Sequence, residues 1–226
     1  RPALSDAKAF LLDIKYSGED FTSKIARVRE WMRENNTTTH ILTSLDDIAW
    51  LFNIRGGDIK YNPVVLSYAV ITLDKAILFV DENKLNDEIK TSFGEEVVEI
   101  KNYFEIYEFV KTINKEEIVL IDSNKISYSI LKNIPAGVKV VNGMNPSTKF
   151  KAQKNSVEIE NTKKAHIRDG VAVTKFMYWL KNNIGKIEIT ELSAADKITE
   201  LRREQGKFIE ESFGTIAGYA SNGAII

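Results

Sequence analysis

The stretch from Glu82 to Val141 constrains the fold more than any other part of the chain. It reads in turn as helical "ENKLNDEIKTSF", strand "EVVEI", helical "YFEIYEFVKTI", strand "EIVLID", helical "ISYSILKN" and strand "VKVV". Strand after helix after strand at this spacing predicts an α/β layer with a substantially parallel sheet and helices on its faces. Upstream, Val64 to Leu73 and Ala76 to Val80 are rich in β-formers and separated by Asp74-Lys75, which predicts a hairpin and makes the sheet mixed.

The segments before the hairpin fit the same layer. From Glu19 to Asn36, Phe21, Ile25, Val28 and Met32 recur at helical spacing and mark one apolar face, ended by Asn35-Asn36. "HILT" at 40 to 43 reads as a short buried strand. Thr43 or Ser44, followed by Asp46 or Asp47, then predicts the capped start of a helix carrying Ile48, Trp50, Leu51 and Phe52. Adjacent acidic residues face different sides of a helix, so Asp46 and Asp47 read as capping residues rather than a catalytic acid and base.

A different texture begins near Asn145-Pro146. "STKFKAQKN" is poor in apolar residues and reads as a connecting segment, and Asn155 to Glu158 carries a capping signal for a long helix reaching about Asn183. That helix shows two apolar stripes, Ala165, Ala172, Phe176, Leu180 and Ile167, Val171, Thr174, Tyr178, which predicts burial on more than one side. Gly185 ends it and Thr190 caps a further helix with Leu192, Ala195, Ile198, Leu201 and Phe208 on its apolar face. The closing "GYASNGAII" reads as the beginning of a strand. The expected division is therefore 1–154 and 155–226.

Composition excludes several functions. Lys plus Arg (31) nearly balance Asp plus Glu (32), and no window is strongly basic, which disfavours nucleic acid as a partner. Cysteine is absent, so thiol nucleophiles, disulfides and thiolate metal sites are excluded together. With no apolar run of about 18 residues and no signal-peptide pattern in "RPALSDAKAF", no membrane partner is expected and the chain reads as cytoplasmic. Asn35 and Asn36 match glycosylation sequons and read as helix-end polar residues, and the start at Arg1 reads as a cut or processed edge.

The residues alone offer no catalytic constellation. There is no G-x-S-x-G elbow, no phosphate-binding loop, no G-x-G-x-x-G turn and no H-E-x-x-H pair. His40 opens an apolar strand and reads as a hydrogen-bonded structural residue, and His166 reads as a helix-face residue. Trp50 and Phe52 beside Arg55-Gly56-Gly57 read equally as the wall of a small-molecule pocket and as core aromatics before a helix stop.

Four blocks carry more than their physics: "LTSLDDIAWLFNIRGGDIKYNPVVLSYAVI" (42–71), "KAHIRDGVAV" (164–173), "LSAADKITELRREQ" (192–205) and "SFGTIAGYASNGAII" (212–226). Together and in this order the chain resembles the cytosolic, three-domain type of X-prolyl aminopeptidase. The resemblance implies a creatinase N-terminal-like mixed sheet flanked by helices over residues 1–154, non-catalytic, followed over 155–226 by the first helices of a pita-bread α+β metallopeptidase domain. It implies removal of the N-terminal residue from short peptides with proline at the second position, two divalent metal ions, usually manganese, and a homodimer.

In that family the ligands are two Asp, one His and two Glu beyond the segment that "NGAII" begins, and a substrate-orienting histidine follows it directly. No metal ligand and no catalytic residue is therefore expected among these 226 residues, no ion is expected bound to them, and the chain alone is expected to be inactive. His166 and Asp169 are not assigned as ligands. Trp50, Arg55 and Asn222 are the expected positions near the rim of the substrate pocket. Two other functions stay open at this point, a peptidase-like binding module without metals and a related prolidase or creatinase activity.

Overall fold

The computed structural model describes residues 3–94 and 96–224. The chain forms two compact units, Arg1–Val157 and Glu158–Ile226. In the first unit the elements are β1 (Phe10–Leu11), α1 (Ile14–Ser17), α2 (Phe21–Glu34), β2 (Thr39–Leu42), α3 (Leu45–Leu51), β3 (Ile54–Arg55), β4 (Ser67–Thr72) and β5 (Ala76–Val80). There follow α4 (Asp87–Phe93), β6 (Glu99–Lys101), α5 (Ile106–Phe109), β7 (Ile118–Ile121), α6 (Tyr128–Asn133), β8 (Lys139–Asn142) and α7 (Pro146–Ala152). The long helix α8 (Ser156–Asn183) and then α9 (Glu191–Glu204) come next.

The main sheet has six strands in the order β6-β5-β4-β2-β7-β8. β2, β7 and β8 run parallel, as do β5 and β6, while β4 is antiparallel to both β2 and β5. This is the mixed sheet expected from a hairpin set into strand–helix–strand repeats. β1 and β3 form a separate two-stranded ribbon.

Successive strand residues point to opposite faces, and the two faces bury different clusters. Leu42, Ala69, Ile71, Ala76, Leu78 and Val80 face α2, α3 and α4. Ile41, Val70, Ile77, Phe79, Val119 and Ile121 face the Ile106, Val110 and Ile130 side. Helices therefore cover both faces. The predicted face of α2 is buried throughout, with Val28 and Met32 at 0% exposure, each contributing about 1.5–3 kcal/mol. Asp20 starts that helix by accepting from the Ser23 N–H at 2.8 Å.

Residues 146–152, read above as a connecting segment, are helical. Pro146 occupies the first turn, where its missing N–H costs no bond, and Phe150 packs against the core of the α2–α3 face. Phe150, with the buried Pro146 and Ser147, anchors an otherwise polar helix.

In the second unit α8 has the predicted bounds, but only Ala172 on it is buried, while Ile167, Val171 and Tyr178 are exposed. Burial on more than one side is not seen within this unit among the described residues, where α8 shares a small core with α9: Ala172, Ile198 and Leu201 with Val173 and Phe176. Thr190 caps α9 reciprocally with Ser193, as expected. Phe208 lies past the end of α9 rather than on its face.

The expected closing strand is instead a 3-10 turn, Ala220–Ala224, and Ile225 and Ile226 lie outside the described residues. The chain curls because Ala220 takes the left-handed conformation (φ 52°) and the backbones of Gly218 and Gly223 touch; a Cβ on Gly218 would sit 2.9 Å from Gly223 Cα. Among the described residues no helix is long and apolar enough to cross a membrane.

Candidate functional site

The corner between α3 and β3 holds Trp50 and Arg55. Of the two readings of this stretch, pocket wall and core aromatics, its burial fits core aromatics: Trp50 is only 6% exposed and Leu51, Phe52 and Ile54 are at 0%. The Lys24 ammonium, itself 1% exposed, sits 4.5 Å over the Trp50 ring and donates to the Trp50 carbonyl at 3.0 Å and to Asn53 Oδ1 at 2.6 Å. Asn53 turns the chain in a left-handed conformation (φ 53°) and donates to the Glu19 carbonyl at 2.8 Å. Arg27 stacks over Phe150 at 4.4 Å and pairs with Glu19 at 2.6 Å.

Arg55 is half-buried. Its guanidinium donates to the carbonyls of Ala49 (2.6 Å), in the last turn of α3, and Ile54 (2.9 Å), on β3, so a cation ties the C-terminal end of α3 to β3. Trp50 and Arg55 thus share one rigid corner built around α3.

The acid pair behaves differently from its sequence reading. Ser44 precedes α3 without a side-chain cap bond. Asp46 is surface-facing and pairs with Lys151. The Asp47 side chain is completely buried, and it accepts from Lys125 Nζ at 2.8 Å, Asn145 Nδ2 at 3.2 Å and Thr148 Oγ1 at 3.2 Å, with Lys151 Nζ at 3.0 Å. It ties α3 to the β7–α6 loop and to α7. Burial alone would raise this carboxyl, but the bonds from Lys125, Lys151, Asn145 and Ser44 outweigh it and hold the group well below the usual carboxylate range. Its partners are scattered over 125–151, so only three-dimensional packing reveals them.

His40 has the expected structural role. It is fully buried on β2 with Nδ1 3.2 Å from the Leu120 carbonyl of β7. Burial pushes its pKa down to about 4 against the weaker opposing pull of the Leu120 carbonyl and the Asp47 and Asp122 charges. His166 is exposed on α8.

In the second unit Asp169 is engaged by Arg202 at 2.7 Å, and Arg202 also holds Glu211 at 2.6 Å, along a cleft of about 260 Å³ lined by Arg168, Lys207 and Phe208 as well. Asn222 is exposed, with Nδ2 3.3 Å from both carboxylate oxygens of Glu191. Trp50 and Arg55 therefore belong to one unit and Asn222 to the other. Among the described residues no group of three or more His, Cys, Asp or Glu side chains converges as a metal site would require.

Residues 1–158 match the Creatinase/Prolidase N-terminal domain family. The chain belongs to this family. Over its whole length this creatinase/prolidase-type chain is also similar to two fungal proteins named as probable Xaa-Pro aminopeptidase P. The one from Sordaria macrospora is 38% identical and the one from Coprinopsis cinerea 37%, each aligned over 100% of this chain and 39% of the relative. The chain thus spans well under half the length of these relatives.

Among solved structures, the X-prolyl aminopeptidase of Caenorhabditis elegans, a cytosolic enzyme with a di-nuclear active site, superposes with a TM-score of 0.88 at 29% identity, covering 94% of this chain and 36% of that one. The Xaa-Pro dipeptidase of Bacillus anthracis shares the fold at TM-score 0.60 and 16% identity, over 83% of this chain and 50% of its own. In this creatinase/prolidase N-terminal domain the buried Asp47 hub and the Trp50–Arg55 corner both place charged side chains against α3. Sequence reasoning singled out Trp50 and Arg55 without foreseeing their burial, and it missed the hub.

Proposed function

We propose that this chain is the supporting part of a dinuclear metal-dependent aminopeptidase that removes the N-terminal residue from peptides with proline at the second position. One observation carries the reading: the similarity to Xaa-Pro aminopeptidase P relatives covers 100% of the chain. In this reading residues 1–154 are the non-catalytic creatinase-like domain and residues from 155 open the pita-bread catalytic domain. The complete protein is a cytosolic homodimer; the cytosolic C. elegans neighbour supports the compartment.

Proline in the second position demands a dedicated enzyme. Its tertiary amide has no N–H and its ring fixes φ, so the backbone contacts that ordinary peptidases make to the substrate are lost. Two divalent ions, manganese in this reading, supply Lewis-acid activation of water at neutral pH when bound. The described residues do not fit such a centre. Asp46 and Asp47 are taken by lysines, Asp169 is taken by Arg202, and the two histidines lie in different units. No step of the reaction is assigned to them, and we assign the ligand set to sequence outside these 226 residues. The chain alone is inactive in this reading.

What the chain's own residues do is hold the entrance. The α3–β3 corner is rigid because Lys24, Arg27 and Arg55 fix it from three sides, which suits Trp50 and Arg55 to backing a pocket rim. Asn222 stands at the other end of the chain, next to the segment where the family places its substrate-orienting histidine. The test is to give the full-length gene product, with manganese, an Xaa-Pro-Xaa peptide and its Xaa-Ala-Xaa counterpart. Release of the first residue from the former alone is expected; equal cleavage of both, or of neither, refutes the proposal.

A further inference from the structure

The turn that carries Asn222 is built, and a single carboxylate builds it. Glu191, the first residue of α9, accepts from the Tyr219 backbone N–H at 2.6 Å and lies 3.3 Å from the Asn222 amide through each oxygen. The cap of α9 is satisfied without it, since Thr190 and Ser193 bond each other's backbone reciprocally. The Glu191 carboxylate is therefore left to reach residues 28 and 31 positions downstream.

The turn it holds is tight. Asn222 N–H donates to the Tyr219 carbonyl at 3.1 Å, Ala220 is left-handed, and the Gly218 and Gly223 backbones are in contact. The neighbouring strap is fixed separately: Arg202 grips Glu211, which also accepts from Thr199 at 2.8 Å.

We propose that Glu191 is a positioning residue for the peptidase reaction, acting through Asn222 and the 219–222 turn to set the substrate entrance. The inference rests on the functional reading above, in which Asn222 lies at the pocket rim. A carboxylate that spans both a backbone N–H and a side-chain amide fixes the turn's register and the direction of the Asn222 side chain together. A loop held at two points delivers its contacts in one geometry, and loosening it weakens binding of substrate and transition state alike, which raises KM and leaves kcat little changed.

The experiment uses the full-length gene product with Glu191→Ala, Glu191→Gln, Asn222→Ala and the Glu191→Ala/Asn222→Ala double variant. Steady-state kinetics on an Xaa-Pro-Xaa peptide are combined with hydrogen exchange of the Tyr219 amide. Glu191→Ala and Asn222→Ala are each expected to raise KM about tenfold with kcat within about twofold, and the double variant no further, as residues in one network do. Glu191→Gln keeps an acceptor and should fall between wild type and Glu191→Ala; it also carries the test if the alanine variant does not fold. An unchanged KM in Glu191→Ala, or losses that simply add in the double variant, overturns the proposal. If the wild-type product cleaves no Xaa-Pro bond, the functional reading has failed. The grip of Glu191 on the turn is then decided by exchange alone: faster exchange of Tyr219 in Glu191→Ala upholds it and unchanged exchange overturns it.

Discussion

Replacing Asp47 by alanine should destabilise the first unit by about 2–3 kcal/mol. The carboxylate is fully buried and is bonded by Lys125, Lys151, Asn145 and Thr148. Removing one member of a buried charged set costs about 3–5 kcal/mol when the remaining charge stays buried. Lys125 and Lys151 retain 31% and 24% side-chain exposure, so their ammonium groups can return to water and the loss is smaller. Asn145 is 1% exposed and cannot, so its amide is left without this acceptor. With a urea m-value of about 2 kcal/mol/M, the unfolding midpoint should fall by about 1–1.5 M. The assay is urea unfolding followed by Trp50 fluorescence with Trp31 and Trp179 replaced by Phe in both proteins. Because the carboxyl's proton affinity is lower folded than unfolded, its stabilisation is complete above the ordinary Asp value near 4 and drains away as pH falls below it. The variant should therefore show a shallower acid limb. A midpoint within about 0.2 M of wild type at pH 7 would show that the hub holds nothing together.

His40 supplies a second pH dependence in a higher window. Held near 4 in the fold against about 6.5 unfolded, it stabilises fully above pH 6.5 and loses that contribution, about 3 kcal/mol, as pH falls towards 4; a His40→Phe variant followed by chemical denaturation across pH 4–7 should lack this slope. Lys84 and Asp58 form an ion pair with side chains 3% and 1% exposed. Lys84→Met alone strands the Asp58 carboxylate and should cost about 3–5 kcal/mol, while adding Asp58→Leu should restore most of it in thermal unfolding. Arg55→Ala in the full-length gene product should raise KM for an Xaa-Pro peptide ~3- to 10-fold; unchanged KM and kcat would remove Arg55 from the rim.

Local signals made much of this fold legible. The spacing of Phe21, Ile25, Val28 and Met32 located α2, the strand–helix repeats located the parallel strands, and Thr190 marked the start of α9. The misses came where local chemistry and packing disagree. Helix α7 looked like a linker because Phe150 is its one large apolar residue and its buried Pro146 and Ser147 make no apolar pattern, and the 220–224 turn looked like a strand because its curl depends on two glycines meeting. The Asp47 hub was hidden for a related reason: a capping pattern at Ser44–Asp47 explains the residue locally, while Lys125 and Lys151 are brought to it only by the sheet. Glu191 was invisible as a site residue because an acidic first turn is what any helix favours.

The sharpest measurement compares two polypeptides in one assay: the 226-residue chain and the full-length gene product, each incubated with manganese and a peptide bearing proline at its second position. Release of the first residue by the longer protein and none by the shorter is the predicted result. Cleavage by the 226-residue chain itself, or a longer protein that leaves the peptide whole, would contradict the account.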